Sequence, residues 1–317
     1  MGSVLGHGES HIHLGEVRHQ TRSRLALSLF LTLGFTVLEA VAGLLANSLA
    51  LMTDAAHNLT DVMALGLGWY AVRLTGQPSN PQKTYGYHRA GILVALANST
   101  TLVLISLGVF YEAYWRLLSA PPVRSQTMIV VGAIAFAVNI ATAWLVRRRG
   151  DRDLNLRALF LHLMGDVAST LGAVAAGVLI HFTGANWLDP VVSVLIGCLI
   201  VYTAWGILRE TVEILLESTP PDVNLSAMVN DIMSVEGVLG VHDLHVWSLT
   251  RQLRTMSAHL LTEDAPISTG TRIQEEVSEL VGDRYNISHA TLQLEAARDD
   301  PDSLYCDIEG VVHARRR

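Results

Sequence analysis

The chain has 317 residues, of which 50% are hydrophobic and 16% are charged, and its mean hydropathy is +0.35. An ordinary soluble domain carries about 25% charged residues, so this composition excludes a wholly water-soluble protein. The formal net charge is −7, which excludes the basic surface of a nucleic-acid-binding protein. The two cysteines, Cys198 and Cys306, are too few for a disulfide framework.

Charge and polarity divide the chain into regions. Residues 1–217 contain 13 acidic and 14 basic residues, whereas residues 218–317 contain 16 acidic and 8 basic residues. The start of the chain is polar and rich in histidine, and it lacks the short apolar core of a cleaved signal peptide. We predict a cytoplasmic N-terminal tail (1–24), a membrane domain (25–217), a cytoplasmic domain (218–297) and a C-terminal tail (298–317).

Six apolar stretches predict six membrane-spanning helices. A helix of about 20 residues crosses a hydrocarbon core of about 30 Å. The stretches lie near residues 25–46, 49–74, 90–115, 128–146, 158–182 and 190–208. Because an even number of crossings returns the chain to its starting side, both termini are expected on one side of the membrane.

The basic residues predict which side that is. They precede the first span and occupy the connections between spans two and three and between spans four and five. These residues are Arg18, Arg22, Arg24, Lys83, Arg89 and the run "RRRGDR" from Arg147. Short cytoplasmic loops carry an excess of Lys and Arg, so both termini are predicted to be cytoplasmic.

The region after residue 217 has a different pattern. The segments "AMVNDIMSV" and "TRIQEEVSELVGD" have the spacing of amphipathic helices, whereas "GVHDLHVWSLT", "RTMSAHLLTE" and "ISHATLQLE" alternate like strands. The order is αββαβ, which predicts a small α+β domain. The fold class is therefore an α-helical membrane protein with six transmembrane helices and a C-terminal cytoplasmic α+β domain.

Spans two and five each carry a histidine and an aspartate four residues apart. The pairs are His57 with Asp61 and His162 with Asp166. Residues four apart lie on the same face of a helix. An ionisable group at bilayer depth costs about 2.5 to 3.5 kcal/mol on insertion scales, so such groups usually pair or face a functional cavity.

Together the two pairs supply four nitrogen and oxygen ligands, the number that tetrahedral Zn²⁺ takes. Mg²⁺ and Ca²⁺ prefer more oxygen ligands and Cu⁺ prefers sulfur, so Zn²⁺ is the first choice, followed by Cd²⁺, Co²⁺ and Ni²⁺. The alternative is that the four residues only form hydrogen bonds between helices. Two matching pairs favour the metal site.

Two further acids lie in the predicted spans. Asp54 precedes His57 by three residues, and it is either a carboxylate beside the metal ligands or a helix-start residue. Glu39 lies in the first span, and the sequence assigns no role to it.

These motifs resemble the cation diffusion facilitator family of zinc transporters. The resemblance covers about residues 25–295 and rests on "SLALMTDAAHNLTD", "YGYHRAGIL", "LHLMGDVASTLG", "LDP" and "VHDLHVWSLT". It implies six spans, a metallochaperone-like cytoplasmic domain and a homodimer that exports Zn²⁺ from the cytoplasm in exchange for protons. The set of two histidines and two aspartates resembles the zinc-selective branch of the family.

The resemblance also implies a cytoplasmic metal site at His242, His259 and Glu295. Gln293 stands where some relatives have a further histidine, so a mononuclear site is expected. His245 and His289 are weaker candidates. Some relatives carry a histidine in the loop after span two at the position of Tyr87, whereas His88 here lies one residue later, so this loop site is not assigned.

Two more features complete the expectations from the sequence. Arg89 and Glu217 match a charged pair that, by the resemblance, joins spans three and six near the cytoplasmic face. The N-terminal histidines His7, His11, His13 and His19 are candidates for loose metal capture.

The predicted function is proton-coupled Zn²⁺ efflux by alternating access around the membrane site. The predicted partners are a second copy of the chain, the lipid bilayer, divalent metal ions and protons, with Zn²⁺ as transported substrate and as bound regulator and with no catalytic cofactor. The predicted location is the bacterial cytoplasmic membrane. The alternatives are an intramembrane zinc-dependent hydrolase, which needs an open water position and a general base, and a metal-gated sensor or channel.

Overall fold

The computed structural model describes residues 32–147 and 154–296. The N-terminal tail with its four histidines, the C-terminal tail with Cys306 and the first part of the predicted first span lie outside the described residues. In the described residues the chain forms two compact units, one of residues up to 69 with 97–207 and the other of residues 70–96 with those from 208 onward.

In the part of the chain that the structure describes, six helices lie in the predicted membrane domain. They are α1 (Thr32–Ala46), α2 (Leu49–Thr75), α3 (Ala90–Ser119), α4 (Ser125–Arg147), α5 (Leu154–Thr183) and α6 (Leu188–Leu215). Four of them contain a stretch that is long and apolar enough to cross a membrane: Ala90–Ser119, Ser125–Trp144, His162–Thr183 and Leu188–Leu215. These four spans agree with the sequence, and the count of six spans stays a prediction.

The remaining two helices differ from those four in length or polarity. The described part of α1 has the apolar character of a span but is shorter. By contrast, α2 has 27 residues and includes the charged residues Asp54, Asp61 and Arg73. A helix with this many charged groups needs neighbours that cover them if it lies in a bilayer.

The start of α2 is held by a carboxylate from α6. The hydroxyl of Ser48 donates to Asp189 Oδ1 at 2.6 Å, and the backbone N–H groups of Leu49 and Ala50 donate to Oδ2 and Oδ1 at 2.6 and 3.2 Å. Asp189 is completely buried. The first N–H groups of a helix have no partner within the helix, so this side chain caps α2 from a distant part of the sequence.

Helices α4 and α5 pack closely because both carry glycine where they meet. A Cβ atom at Gly132 would lie 3.0 Å from Val174 Cγ2, and one at Gly177 would lie 3.0 Å from Ile129 Cγ1. Small residues at such contacts let helix backbones approach each other in a membrane. The packing therefore supports α5, the helix that carries His162 and Asp166.

The second unit contains a three-stranded sheet with two helices. The order is α7 (Leu225–Met233), β1 (Val238–Ser248), β2 (Arg254–Thr262), α8 (Ile267–Tyr285) and β3 (Ile287–Ala296). The strand order is β1-β2-β3, with β1 antiparallel and β3 parallel to β2. This αββαβ order agrees with the pattern in the sequence. The core includes Met228, Ile232, Met256, Leu260, Ile273, Val277 and Val281.

Asp231 joins the two helices of this unit. The carboxylate of Asp231 in α7 accepts hydrogen bonds from Arg284 Nη1 and from the hydroxyl of Tyr285, both at 2.7 Å. These two contacts at the end of α8 hold the pKa of the Asp231 carboxyl below its usual value, the Tyr285 hydroxyl first and the Arg284 guanidinium second.

The first prediction concerns the cap of α2. Replacing Asp189 with Ala leaves buried donors at Ser48, Leu49 and Ala50 without their acceptor, which costs about 1–3 kcal/mol. We expect the thermal-unfolding midpoint in detergent to fall by several degrees. Glu276→Gln is the control, because it also removes one acidic charge but breaks only an exposed i,i+4 ion pair with Arg272. Equal shifts in the two variants would contradict the capping role.

The second prediction concerns acid stability. Because the pKa of Asp231 is lower in the folded state, its stabilising contribution is complete above the unfolded carboxyl pKa of about 3.9 and is lost as the pH falls through the folded value. Asp231→Asn should therefore lower the unfolding midpoint at pH 6, and the difference from wild type should shrink below pH 4. Asp283→Asn, at an exposed position of α8, should show no such pH-dependent difference. A constant difference at all pH values would argue against the ion pair as the cause.

Candidate metal sites

The structure brings the four predicted membrane residues together between α2 and α5. His57 Nε2 lies 3.3 Å from Asp166 Oδ1 and 3.6 Å from Asp61 Oδ2. His162 Nε2 lies 3.1 Å from Asp61 Oδ2 and 3.9 Å from Asp166 Oδ2. Each carboxylate thus faces both imidazoles. We call these four residues the membrane tetrad.

The spacing of the membrane tetrad fits a small tetrahedral cation. Bonds of about 2.0 Å to Zn²⁺ separate neighbouring ligand atoms by about 3.3 Å in a tetrahedron. The distances of 3.1 to 3.9 Å between histidine nitrogens and carboxylate oxygens include this value. Ligand atoms of His57, Asp61 and His162 lie within 4.8 Å of one another, whereas Asp166 approaches the two histidines through different carboxylate oxygens, Oδ1 for His57 and Oδ2 for His162.

The membrane tetrad is more exposed on one side than on the other. The side chains of His57 and Asp166 are 8% and 11% exposed, whereas that of His162 is 41% exposed. A cation at this position is therefore enclosed on the side of His57 and accessible on the side of His162.

A second polar cluster adjoins the membrane tetrad and includes the two acids that the sequence left open. The amide of Asn58 donates to Glu39 Oε2 at 3.1 Å and to Asp54 Oδ2 at 3.4 Å. Ser169 donates to Asp54 and also to the backbone carbonyl of Asp166, at 3.0 Å for the latter. Asp54 is thus a buried hydrogen-bond acceptor between α2 and α5, not a helix-start residue.

The C-terminal unit contains a second set of metal-ligating side chains, at the predicted positions His242, His259 and Glu295. His242 on β1 lies directly opposite His259 on β2. Glu295 Oε2 lies 3.2 Å from His242 Nε2, and Glu295 Oε1 lies 3.1 Å from His259 Nδ1. These distances also match neighbouring ligands of a tetrahedral zinc ion. We call these three residues the cytoplasmic triad.

The surroundings of Glu295 favour the charged form of its carboxylate. Burial raises its pKa, but the hydrogen bond from Gln293 and the nearby His259 and His242 outweigh burial and leave the pKa below its usual value. Gln293 Nε2 donates to Glu295 Oε1 at 2.6 Å. The residue that stands where some relatives have a histidine therefore holds the carboxylate instead.

Sequence reasoning missed Asp243, which lies beside this triad. Its carboxylate lies 3.5 Å from His259 Nε2 and 3.1 Å from His245 Nε2. The only signal in the sequence is its place between His242 and His245, and strict alternation along a strand would turn it to the other face of the sheet from His242.

Other residues singled out in the sequence have structural contacts. Arg89 Nη2 donates to Glu217 Oε1 at 3.0 Å, so the expected charged pair is present. The ring of His289 packs edge-on against Tyr85 with centroids 6.5 Å apart, in agreement with a packing role. Lys83 Nζ lies 5.7 Å from the centre of the Tyr87 ring.

Comparison with known families agrees with the two-part organisation. The family described as "Cation efflux transmembrane domain" matches residues 25–216, and the family described as "Cation efflux protein, cytoplasmic domain" matches residues 220–297. This chain belongs to the cation diffusion facilitator family of metal efflux transporters. It is therefore an integral membrane protein, and its C-terminal part is a dimerisation domain of this family.

Individual relatives cover nearly the whole chain. The "Cadmium, cobalt and zinc/H(+)-K(+) antiporter" of Bacillus velezensis is 34% identical over 93% of this chain and 94% of its own length. The "Zinc transporter ZitB" of Pectobacterium atrosepticum is 34% identical over 98% of this chain and 94% of its own length. The "Metal cation efflux system protein CzcD" of Cupriavidus metallidurans is 33% identical over 92% of this chain and 91% of its own length. The family and these names indicate a transporter rather than an enzyme.

Proposed function

We propose that this chain exports Zn²⁺ from the cytoplasm in exchange for protons, with the membrane tetrad as the transport site. The observation that carries the proposal is the convergence of two imidazoles and two carboxylates from α2 and α5 at distances suited to one tetrahedral cation. The two imidazole nitrogens favour Zn²⁺ over Mg²⁺ or Ca²⁺, which prefer a full shell of oxygen ligands. The names of the relatives, which include zinc, cadmium and cobalt, support the same group of metals.

Proton coupling follows from the ligand chemistry. Histidine and aspartate bind a metal only when they are deprotonated, so protons and Zn²⁺ compete for the same four side chains. A site that opens to the cytoplasm binds Zn²⁺ there. When the same site opens to the other side, where protons are more abundant, protons replace Zn²⁺ and the metal is released. The name of the Bacillus velezensis relative includes H⁺ as an exchanged ion, which supports this coupling.

The topology is part of the proposal. We infer six spans over residues 25–217, which are the four clearly apolar helices together with α1 and α2. We also infer cytoplasmic tails over 1–24 and 298–317. The acidic side chains of α2 are compatible with a membrane-spanning helix, because Asp54 and Asp61 contact side chains of α5. The distribution of Lys and Arg places both termini in the cytoplasm of a bacterial cell.

The cytoplasmic domain over 218–297 is proposed to regulate the transporter. The cytoplasmic triad lies outside the membrane tetrad's unit and joins all three strands of the small sheet. A metal bound to the folded form stabilises it by about 2.7 kcal/mol at one hundred times the dissociation constant. We infer that Zn²⁺ bound here stabilises the homodimer and is not on the conduction path.

Two other classes of function fit less well. A hydrolytic zinc site keeps one position for water and has a general base nearby, but all four positions here have protein ligands and Asp54 is already engaged by Ser169 and Asn58. A metal-gated sensor or channel, in which the cytoplasmic domain responds to metal and the membrane part only anchors it, gives no role to the four converging side chains of the membrane tetrad. Proton-dependent uptake of Zn²⁺ into vesicles distinguishes a carrier from a hydrolase and from a metal-gated sensor or channel.

The third prediction tests the transport site. In liposomes with an imposed pH gradient, wild type should accumulate Zn²⁺. His57→Ala, Asp61→Ala, His162→Ala and Asp166→Ala should each reduce the flux to the background of empty liposomes, because each removes one of four ligands. The measurement is Zn²⁺ uptake reported by an internal fluorescent indicator, with Cd²⁺, Mn²⁺ and Ni²⁺ in parallel.

His181→Ala is the matched control for this experiment, since His181 lies near the end of α5 away from the membrane tetrad. It should transport like wild type. Near wild-type flux in two of the four tetrad variants would contradict the membrane tetrad as the transport site. Flux that is independent of the pH gradient would show that protons are not exchanged.

The fourth prediction tests the cytoplasmic triad. Replacing His242, His259 and Glu295 together with Ala should lower the zinc-induced thermal shift of the full chain and should reduce, but not abolish, Zn²⁺ uptake, because the membrane tetrad is still complete. Complete loss of uptake in a correctly inserted dimer would mean that the triad lies on the transport route. An unchanged zinc-induced shift, measured in a background that also carries His162→Ala, would mean that it binds no metal.

A further inference from the structure

Asp243 occupies an irregular position in β1. His242 pairs with His259 and His245 pairs with Ser257, so β1 contains one residue more than β2 between these pairs. An extra residue of this kind is a β-bulge, which often turns a side chain toward a functional site. The backbone of Asp243 has φ +49°, in the left-handed region.

This backbone conformation costs energy for most side chains. Residues other than glycine are strained in the left-handed region, and asparagine and aspartate tolerate it best. Glycine adopts it without a penalty from Cβ. Backbone geometry alone would therefore accept Asn or Gly at position 243, so it does not explain a charged carboxylate there.

The contacts of the carboxylate suggest what the charge does. Asp243 Oδ2 lies 3.5 Å from His259 Nε2, while the other ring nitrogen of His259, Nδ1, lies 3.1 Å from Glu295 Oε1. The two nitrogens of this one ring therefore face different carboxylates. Asp243 Oδ1 is in turn 3.1 Å from His245 Nε2, which holds the carboxylate from its other side.

We propose that Asp243 is a positioning residue of the cytoplasmic metal site, which keeps the proton of His259 on Nε2 and leaves Nδ1 free to bind the metal. This inference rests on the proposed metal binding by His242, His259 and Glu295. A neutral imidazole carries its proton on one nitrogen only, and the partner of one nitrogen decides which nitrogen is left as ligand. A carboxylate partner also makes the ligating nitrogen more basic.

The same geometry assigns His245 a supporting role. His245 is half exposed and contacts Asp243 rather than Glu295, so its ring orients the positioning carboxylate and does not bind the metal. The sequence "HDLH" thus contains one ligand at His242, one positioning carboxylate at Asp243 and one residue at His245 that holds it. Partners of this kind typically change metal affinity 10- to 100-fold when they are removed.

The test measures Zn²⁺ affinity on the full-length chain in detergent by competition with a chromophoric chelator, in a background with His162→Ala to weaken the membrane tetrad. Asp243→Asn keeps the shape of the side chain and suits the left-handed backbone but removes the charge. We expect it to bind Zn²⁺ about 10- to 100-fold more weakly, while the thermal midpoint without metal is unchanged or raised. Asp243→Gly should behave in the same way, and His259→Ala should lose the site.

The control Asp283→Asn removes the same charge from the same domain, at an exposed position on α8, and should keep wild-type affinity. The Co²⁺ absorption spectrum at saturation should be the same in the Asp243→Asn variant and its parent. A changed spectrum would show that Asp243 is itself a ligand, and unchanged affinity would show that its charge is irrelevant. Both results overturn the positioning role while the proposed site stands. Absence of metal binding dependent on the triad in the parent chain would overturn both.

Discussion

The buried carboxylate of Asp189 at the start of α2 is the contact on which the membrane site depends. It accepts hydrogen bonds from the first turn of α2 although it belongs to α6, 140 residues away from Leu49. A helix is rigid and rises 1.5 Å per residue. Fixing its first turn therefore also fixes the position of His57, about 12 Å further along the helix axis. This contact and the close packing of α4 against α5 hold the two helices that carry the four residues of the membrane tetrad.

The membrane tetrad and the cytoplasmic triad, the two candidate metal sites, follow the same physical rule. Each draws its ligands from different secondary-structure elements, and each has polar neighbours that hold a ligand in place without binding metal themselves. Gln293 holds Glu295 in the cytoplasmic triad, and the hydroxyl of Ser169 links Asp54 to the turn of α5 that carries Asp166. A carboxylate or imidazole that is already oriented loses less conformational freedom when a metal binds, which favours affinity and geometry together.

The division of ligands between two packed helices also suits a carrier. The membrane tetrad is held by α2 on one side and α5 on the other, so a small relative movement of these helices changes the two distances that join them, His57 to Asp166 and His162 to Asp61. The cytoplasmic triad lies within a single small sheet whose strands are joined by backbone hydrogen bonds. The two geometries therefore suit the transport role proposed for the first and the regulatory role proposed for the second.

The sequence by itself predicted the helices, the αββαβ order and the four residues of the membrane tetrad, because these depend on local patterns. Four apolar helices are long enough to cross a membrane, and the spacing of His57 from Asp61 puts both on one face whatever surrounds them. The family motifs supplied His242, His259 and Glu295, which no local pattern would have selected.

Only the tertiary structure decided the contacts that join distant residues. Glu39 contacts Asn58, Asp54 contacts Ser169, and Asp189 at the start of α6 caps α2, and no local pattern in the sequence points to these contacts. Asp243 was missed because strand alternation predicts the opposite face, whereas a bulge of one residue turns it toward His259. Periodicity describes one element at a time, and such contacts arise only when the elements pack together.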